Sequence, residues 1–367
     1  MKKIIATVTN DLTFDQRMMR ICKSLAEEGH DVTLVGRSLP GSLPLAELPY
    51  RQKRLRLFFK KGKCFYIEYN LRLLMLLLFS RFDLVHAVDL DTLLPGFLVS
   101  KIKGKVCVYD AHEYFTEVPE VVERPGVKRA WEWLAGQVVP RLRFAITVGP
   151  CLAAVFRERY GTCFEVIRNV PERRPPLPHS AQKEGPFILL YQGVLNEGRG
   201  LEEAIEAMEL LQDAELWLAG EGDCSEALRL MTKKRGLEHK VKFLGKIPPP
   251  ELARLTPQAH LGLNLLKNKG LNYYYSLANK AFDYIQAGLP SLGMDFPEYR
   301  RLNEDWEVAH LLPDVRPAAI AVAVNALRSD PNRYRTLAEN CRRAAETLHW
   351  ENEEKTLLEF YRKAFSG

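Results

Sequence analysis

The seven cysteines, Cys22, Cys64, Cys107, Cys151, Cys163, Cys224 and Cys341, show no pairing pattern: they are scattered, odd in number and never spaced Cys-x-x-Cys. That excludes a disulfide framework and a zinc ribbon, implies no metal site, and fits reduced thiols in cytosol. Glycine is missing from the first strand-to-helix turn, Thr9 to Arg17, where a dinucleotide fold needs Gly-x-Gly-x-x-Gly. The second apolar run ends in Gly36-Arg37 and not in the acid that binds a ribose of NAD, so a dehydrogenase is excluded. A Gly-x-x-x-x-Gly-Lys-Ser/Thr loop and a Gly-x-Ser-x-Gly elbow are also absent, which removes P-loop NTPases and α/β-hydrolases. The continuous apolar run Leu73 to Phe79 is far short of the roughly 20 residues that span a bilayer. Met1 to Asn10 carries two lysines but only a strand-length apolar run, and does not read as a signal peptide. A net charge of +6 is interspersed with acids and forms no basic stripe with interleaved aromatics, so nucleic acid is excluded as a partner.

What is present is an ordinary globular composition, 47% apolar and 27% charged, over 367 residues. That length exceeds what one core usually supports and predicts two domains. Short β-branched runs alternate with amphipathic helices in two series. The first predicts strands near 3–9, 31–36, 83–87, 105–109, 144–148 and 164–167. The second predicts strands near 187–192, 214–219, 240–244, 260–265 and 290–293, with helices around 199–211, 223–236 and 276–287. Strands apolar on both faces, separated by helices, imply parallel sheets covered on both sides. The proline-rich, charged stretch from Pro171 to Gly185 cannot join either sheet and reads as a linker. The expected organisation is 1–172, a linker at 173–185, a second domain at 186–347, and a last helix at 348–367 that crosses back to the first domain. Two doubly wound domains of this kind bind ligands at the carboxyl ends of their strands and would enclose a cleft between them.

The segment Ser276 to Pro290 reads as a helix capped by Ser276 and stopped by Gly288 and Pro290. A helix start with Lys280 in it can hold a phosphate, and Asp283, on the same face, can accept from vicinal sugar hydroxyls. An ordinary αβ unit with a surface Lys–Asp pair explains the same residues.

The motifs taken together resemble a retaining glycosyltransferase of the GT-B fold, in the large family numbered four (glycosyl transferases group 1). The resemblance is carried, in family order, by Phe14 to Gly36, Tyr191-Gln-Gly193 through Arg199-Gly200, Leu218-Ala-Gly-Glu-Gly222, Val241-Lys-Phe-Leu-Gly245 and Asn279 to Pro290. It implies two Rossmann-like doubly wound domains facing a central cleft. The implied reaction moves a sugar from a nucleoside-diphosphate donor to an acceptor hydroxyl, with retention and no bound metal or cofactor. By the same resemblance Gly193 and Arg199 meet the donor diphosphate, Gly220, Glu221 and Gly222 flank the nucleotide, and Ser276, Asn279, Lys280 and Asp283 complete the donor site. Arg199 suits a diphosphate because a guanidinium binds two oxygens at once. Family members bracket the donor with a Glu-x7-Glu pair; here the second position is Asp283 and the first is Tyr275, a departure that touches the sugar contacts.

His112, beyond a buried-looking strand in Val108-Tyr-Asp110-Ala-His112-Glu113, falls where the family places a histidine against the transferred sugar. It is expected to donate to a sugar hydroxyl or take part in proton transfer, with Asp110 or Glu113 setting its protonation; a structural histidine capping a loop is the alternative. His112, Arg199 and Lys280 are thus the expected catalytic residues, and Asp15, Arg17, Asp110 and Glu113 the acceptor-side candidates. Asp89 and Asp91 are weaker ones, since N-capping explains them as well, and their Asp-x-Asp spacing is discounted as a metal site for that reason. From Arg51 to Phe82, basic residues alternate with Phe58, Phe59, Phe65 and Tyr66 and precede the apolar run. That pattern fits either an anionic membrane surface bearing a glycan or lipid-linked acceptor, or a buried helix beside solvated lysines. A GT-B sugar-nucleotide epimerase and a non-catalytic nucleotide-sugar or partner binder remain alternatives.

Overall fold

In the computed structural model, which describes residues 1–13, 15–174 and 185–366, the two series of apolar runs become two parallel sheets. Phe14 and most of the expected linker, 175–184, lie outside the described residues. The chain divides into one unit formed by Met1–Asn169 with Asn352–Gly367 and a second formed by Val170–Glu351.

The first unit holds β1 (Lys3–Thr7), β2 (Asp31–Arg37), β3 (Arg51–Leu55), β4 (Leu84–Val88), β5 (Val106–Ala111), β6 (Phe144–Thr147) and β7 (Glu165–Val166). Their order across the sheet is β3-β2-β1-β4-β5-β6-β7, and the pairs are parallel. The interior strands β1 and β4 are almost wholly buried, as helices on both faces require. The helix Gly62–Phe79 packs Phe65, Tyr69, Leu73 and Leu77 onto Ile5, Val35 and Val85. The apolar run 73–79 is therefore a half-buried helix, inward at Leu73 and Leu77 and outward at Met75 and Phe79.

The second unit holds β8 (Phe187–Gln192), β9 (Ala214–Ala219), β10 (Val241–Gly245), β11 (Leu261–Asn264), β12 (Ser291–Met294) and β13 (Ala309–Leu312), ordered β10-β9-β8-β11-β12-β13. Its pairs are parallel too. Past β13 the chain is helical: Pro317–Ser329, Pro331–Ala345 and Trp350–Ser366.

Each sheet reverses its winding once, between β1 and β4 in the first unit and between β8 and β11 in the second. Outside the carboxyl ends of those strands lies the crevice where such sheets bind ligands. Thr7, Asp89 and His112 belong to that edge in the first unit; Gly193, Gly220 and Asn264 belong to it in the second.

Candidate functional site

In the second unit the turns after β8 and β9 are locked together. The Gly193 N–H donates to the Ala219 carbonyl at 2.9 Å. Gly220, at φ +152°, lies so close that a β-carbon there would sit 1.8 Å from the Gly193 carbonyl oxygen. Only glycine fits such an approach. Gly193, at φ +131°, borders the Lys280 side chain: a β-carbon there would lie 3.5 Å from Nζ. Gly222 is packed against Leu195 and donates its N–H to Ser225 Oγ at 2.8 Å. Glu221 is turned aside, its carboxylate held by Arg229 at 2.7 Å.

Lys280 lies over the face of Tyr191, with Nζ 3.5 Å from the ring centroid. Burial first, and then the neighbouring Arg199 guanidinium, hold its pKa well below the usual lysine value. Arg199 stands 5.1 Å from the Tyr273 ring centroid, and its buried Nε has no hydrogen-bond partner. Neither cation is paired with a carboxylate among the described residues. Two like charges brought together, both half-buried and one with an orphaned buried donor, are costly unless an anion completes them. At the end of β11 Asn264, 2% exposed, has a side-chain oxygen without a donor.

One expectation for this region needs correction. Ser276 does not cap the helix. Its hydroxyl donates to the Tyr273 carbonyl at 2.9 Å, closing the short helix Leu271–Tyr274. The following helix is Asn279–Gln286, with Ala278 as a cap that has no side-chain hydrogen bond. Lys280 is thus the second helical residue, on a first turn that no side chain caps, and Asn279 stands exposed at its start. The Asp283 carboxylate is also already engaged: it accepts from Arg174 at 2.9 Å and from Gln192 Nε2 at 3.1 Å. A ribose there would compete with both. Tyr275 ends the Leu271–Tyr274 helix, its ring edge-on to Tyr274.

In the first unit Asp110 is the hub of a buried network. Arg17 grips it with Nε at 3.1 Å and Nη2 at 2.9 Å and also donates to the Ile167 carbonyl. His86 and His112 approach the same carboxylate through their Nε2 atoms at 3.2 and 3.0 Å. His86 Nδ1 meets the hydroxyl of Tyr361. Desolvation alone would raise the Asp110 pKa, but the charges of Arg17 and His112 with these hydrogen bonds hold it well below the usual carboxylate range. Arg17 and Asp110, 2% and 0% exposed, are therefore not open to an acceptor; they support His112 from beneath. Asp15 has the ordinary role of N-cap to the helix Gln16–Glu27, accepting from the Met18 N–H.

Burial works against a charged His112, yet Asp110, by charge and hydrogen bond, outweighs it and raises the imidazole to about 9. At neutral pH the ring carries both protons. Its Nε2–H is spent on Asp110, and Nδ1, on a side chain 20% exposed, bonds no described residue. His112 is thus arranged to donate and not to abstract, which narrows the expectation of proton transfer. Its own backbone N–H donates to Asp89 Oδ1 at 2.9 Å. Asp89 sits at φ +53°, a conformation few non-glycine residues adopt. Asp91 accepts from Thr9 at 2.7 Å and is pushed by burial to about 7. Glu113, half-buried, adds negative charge beside both.

The residues that sequence reasoning missed are Tyr191, Tyr273, Asn264, Gln192 and Arg174. Asn264 left a signal, a polar residue interrupting the apolar run Leu261 to Leu266. The aromatic supports left none, because tyrosines read equally well as core.

Two winding reversals, each with polar side chains gathered at the strand ends, define a two-unit doubly wound α/β protein. The profile of Glycosyltransferase Family 4 matches residues 16–171 and that of Glycosyl transferases group 1 matches 176–344; the chain belongs to this family-4-like group 1 class of glycosyltransferases. It is 26% identical over 231 residues to the lipopolysaccharide core biosynthesis glycosyltransferase LpsD of Rhizobium meliloti, a match spanning 60% of this chain and 62% of that one. It is 30% identical over 156 residues to a phosphatidyl-myo-inositol mannosyltransferase of Mycobacterium leprae, covering 41% and 40%. The chain thus spans less than two thirds of these relatives. Among solved structures it superposes on sucrose-phosphate synthase from Thermosynechococcus elongatus with a TM-score of 0.84, 17% identity and full coverage of both chains. It also superposes on Anabaena HepE in complex with UDP and glucose with a TM-score of 0.78, 16% identity and 99% and 100% coverage. The two parallel sheets are those of the GT-B fold.

Proposed function

We propose that the protein transfers a glycosyl group from a nucleoside-diphosphate sugar to an acceptor hydroxyl, with retention of anomeric configuration and without a metal ion. The observation that carries this reading is the pair Arg199 and Lys280, two cations at a winding reversal with no carboxylate between them. A donor diphosphate supplies the missing anion. Arg199 binds two of its oxygens, Lys280 a third, and the uncapped first turn of Asn279–Gln286 adds backbone N–H groups. As the bond from sugar to phosphate lengthens, the same groups take up the growing charge. The departing phosphate oxygen accepts the proton of the incoming hydroxyl, so no enzymic nucleophile is required. In the first unit, His112 donates through Nδ1–H to a sugar hydroxyl. Gly193, Gly220 and Gly222 let the nucleotide approach the backbone, and Asp283 receives the ribose if Arg174 yields.

LpsD and the mannosyltransferase, by their names, act in lipopolysaccharide and phosphatidyl-inositol glycan synthesis. They support a glycan or lipid-linked acceptor reached from the cytoplasmic face of a membrane, with residues 51–82 toward the lipid. The test is a screen of nucleoside diphosphates by calorimetry, followed by NMR of the product's anomeric centre. One diphosphate bound without magnesium and a retained configuration support the reading. Tyr275 in place of the family's first acid, with Asp283 occupied by Arg174, favours a second reading, a binder without turnover; it predicts nucleotide binding but no product with any acceptor.

A further inference from the structure

The helix Gly62–Phe79 is apolar on two opposite faces. Phe65, Tyr69, Leu73 and Leu77 recur every fourth residue and are buried against the sheet. Ile67, Leu71, Met75 and Phe79 recur at the same spacing and are 61, 56, 51 and 82% exposed. The stripes lie about 160° apart around the helix axis. A helix apolar all round belongs in an interior or in lipid, and the outer stripe of this one meets no core. No helix among the described residues is long and apolar enough to cross a membrane.

The stripe is extended at its amino-terminal end by Phe58 and Phe59, also exposed. That tip is held by the helix itself. Glu68 accepts the N–H groups of both phenylalanines at 2.9 to 3.0 Å and the Arg72 Nε at 2.8 Å, and the Arg72 guanidinium stands 5.4 Å from the Phe58 ring centroid. Glu68 is the only carboxylate in the helix sequence, and its charge is spent on this clamp. Lys61, Lys63 and Arg81 flank the stripe as exposed cations. The strand upstream contributes less than its composition suggests: Arg51 is paired with Asp31, and Arg54 is bound to the Asp11 and Leu43 carbonyls and to Thr13.

We propose that Phe58, Phe59 and the stripe Ile67, Leu71, Met75 and Phe79 form a docking face for an anionic lipid bilayer, with the helix lying in the headgroup boundary. Apolar side chains on one line, cations at both ends and no free carboxylate match that surface in shape and sign. A second copy of the chain fits less well, since a two-fold pairing of the stripe would set its own cations against each other. This inference rests on the reading of the acceptor as lipid-linked, and the test separates the two.

The test is flotation of the whole protein with vesicles of phosphatidylglycerol and phosphatidylethanolamine, against phosphatidylcholine alone, with nucleotide affinity measured on the same samples. The expected result is binding to the anionic vesicles that weakens as salt rises and the Debye length shrinks from about 10 Å to about 3 Å. The double variants Phe58→Ser/Phe59→Ser and Leu71→Ser/Met75→Ser, all at exposed positions, should each lose about tenfold or more of it, a few exposed apolar contacts' worth. They should keep the wild-type melting temperature, nucleotide affinity and turnover of a water-soluble acceptor. Absence of vesicle binding with nucleotide affinity intact overturns the docking face and leaves the donor site standing. Variants that float like the wild type overturn it as well, as does a dimer that the same variants dissolve.

Discussion

Lys280 and Arg199 are expensive residues to keep where they are. A half-buried ammonium beside a guanidinium, over an aromatic face and without a carboxylate, is tolerated when a ligand completes it. Arg199→Ala and Lys280→Ala should each weaken nucleoside-diphosphate binding by about 1.5–3 kcal/mol, the worth of a charge-assisted bond, as read by calorimetry. Lys280→Met, which keeps the stem and removes the charge, should lose the same affinity and melt no lower than the wild type. In the first unit His112 sets a pH dependence. Its folded value of about 9 lies above the ordinary histidine value of 6.5, so its interaction with Asp110 stabilises fully below about 6.5 and is lost as pH rises through about 9. His112→Gln should therefore destabilise the protein more at about pH 7 than at about pH 10 in denaturant titrations. An equal cost at both values would contradict a charged His112.

At the scale of elements, the turn after β9 is the least forgiving. Gly220→Ala sets a β-carbon against the Gly193 carbonyl in a backbone region that L-residues avoid, and should cost about 3 kcal/mol or more and abolish diphosphate binding. An unchanged melting temperature would show that the two turns can part. The strands legible in the sequence were those with unbroken apolar runs, such as Phe187–Gln192 and Ala214–Ala219, found where expected. Those missed were edges. β3, Arg-Gln-Lys-Arg-Leu, is polar because it has only one neighbour, and charge there discourages further pairing. β13, at the other sheet's edge, was hidden by its brevity. The helix expected from Ser276 starts three residues later because the hydroxyl found a nearer carbonyl in the preceding turn, a choice between local hydrogen bonds that no pattern displays.

At the scale of the molecule, each sheet runs the same order outward from one winding reversal, and that repetition was readable from strand–helix alternation. The membership of the site was readable only in part. Gly193, Gly220, Arg199 and Lys280 carry a pattern in sequence order, whereas the Asp110 hub joins Arg17, His86, His112 and Tyr361 from four separate segments. Burial of that hub, which turns the expected acceptor residues Arg17 and Asp110 into supports for His112, is a property of packing alone.

The measurement closest to the central claim is calorimetric titration of the wild type, Arg199→Ala and Lys280→Ala with UDP, GDP and ADP, without metal. A diphosphate completes the Arg199–Lys280 pair, so the account predicts one tight nucleotide in the wild type and weakened binding of it in both variants. Binding of equal strength in all three proteins, or of none of the nucleotides to the wild type, would contradict it.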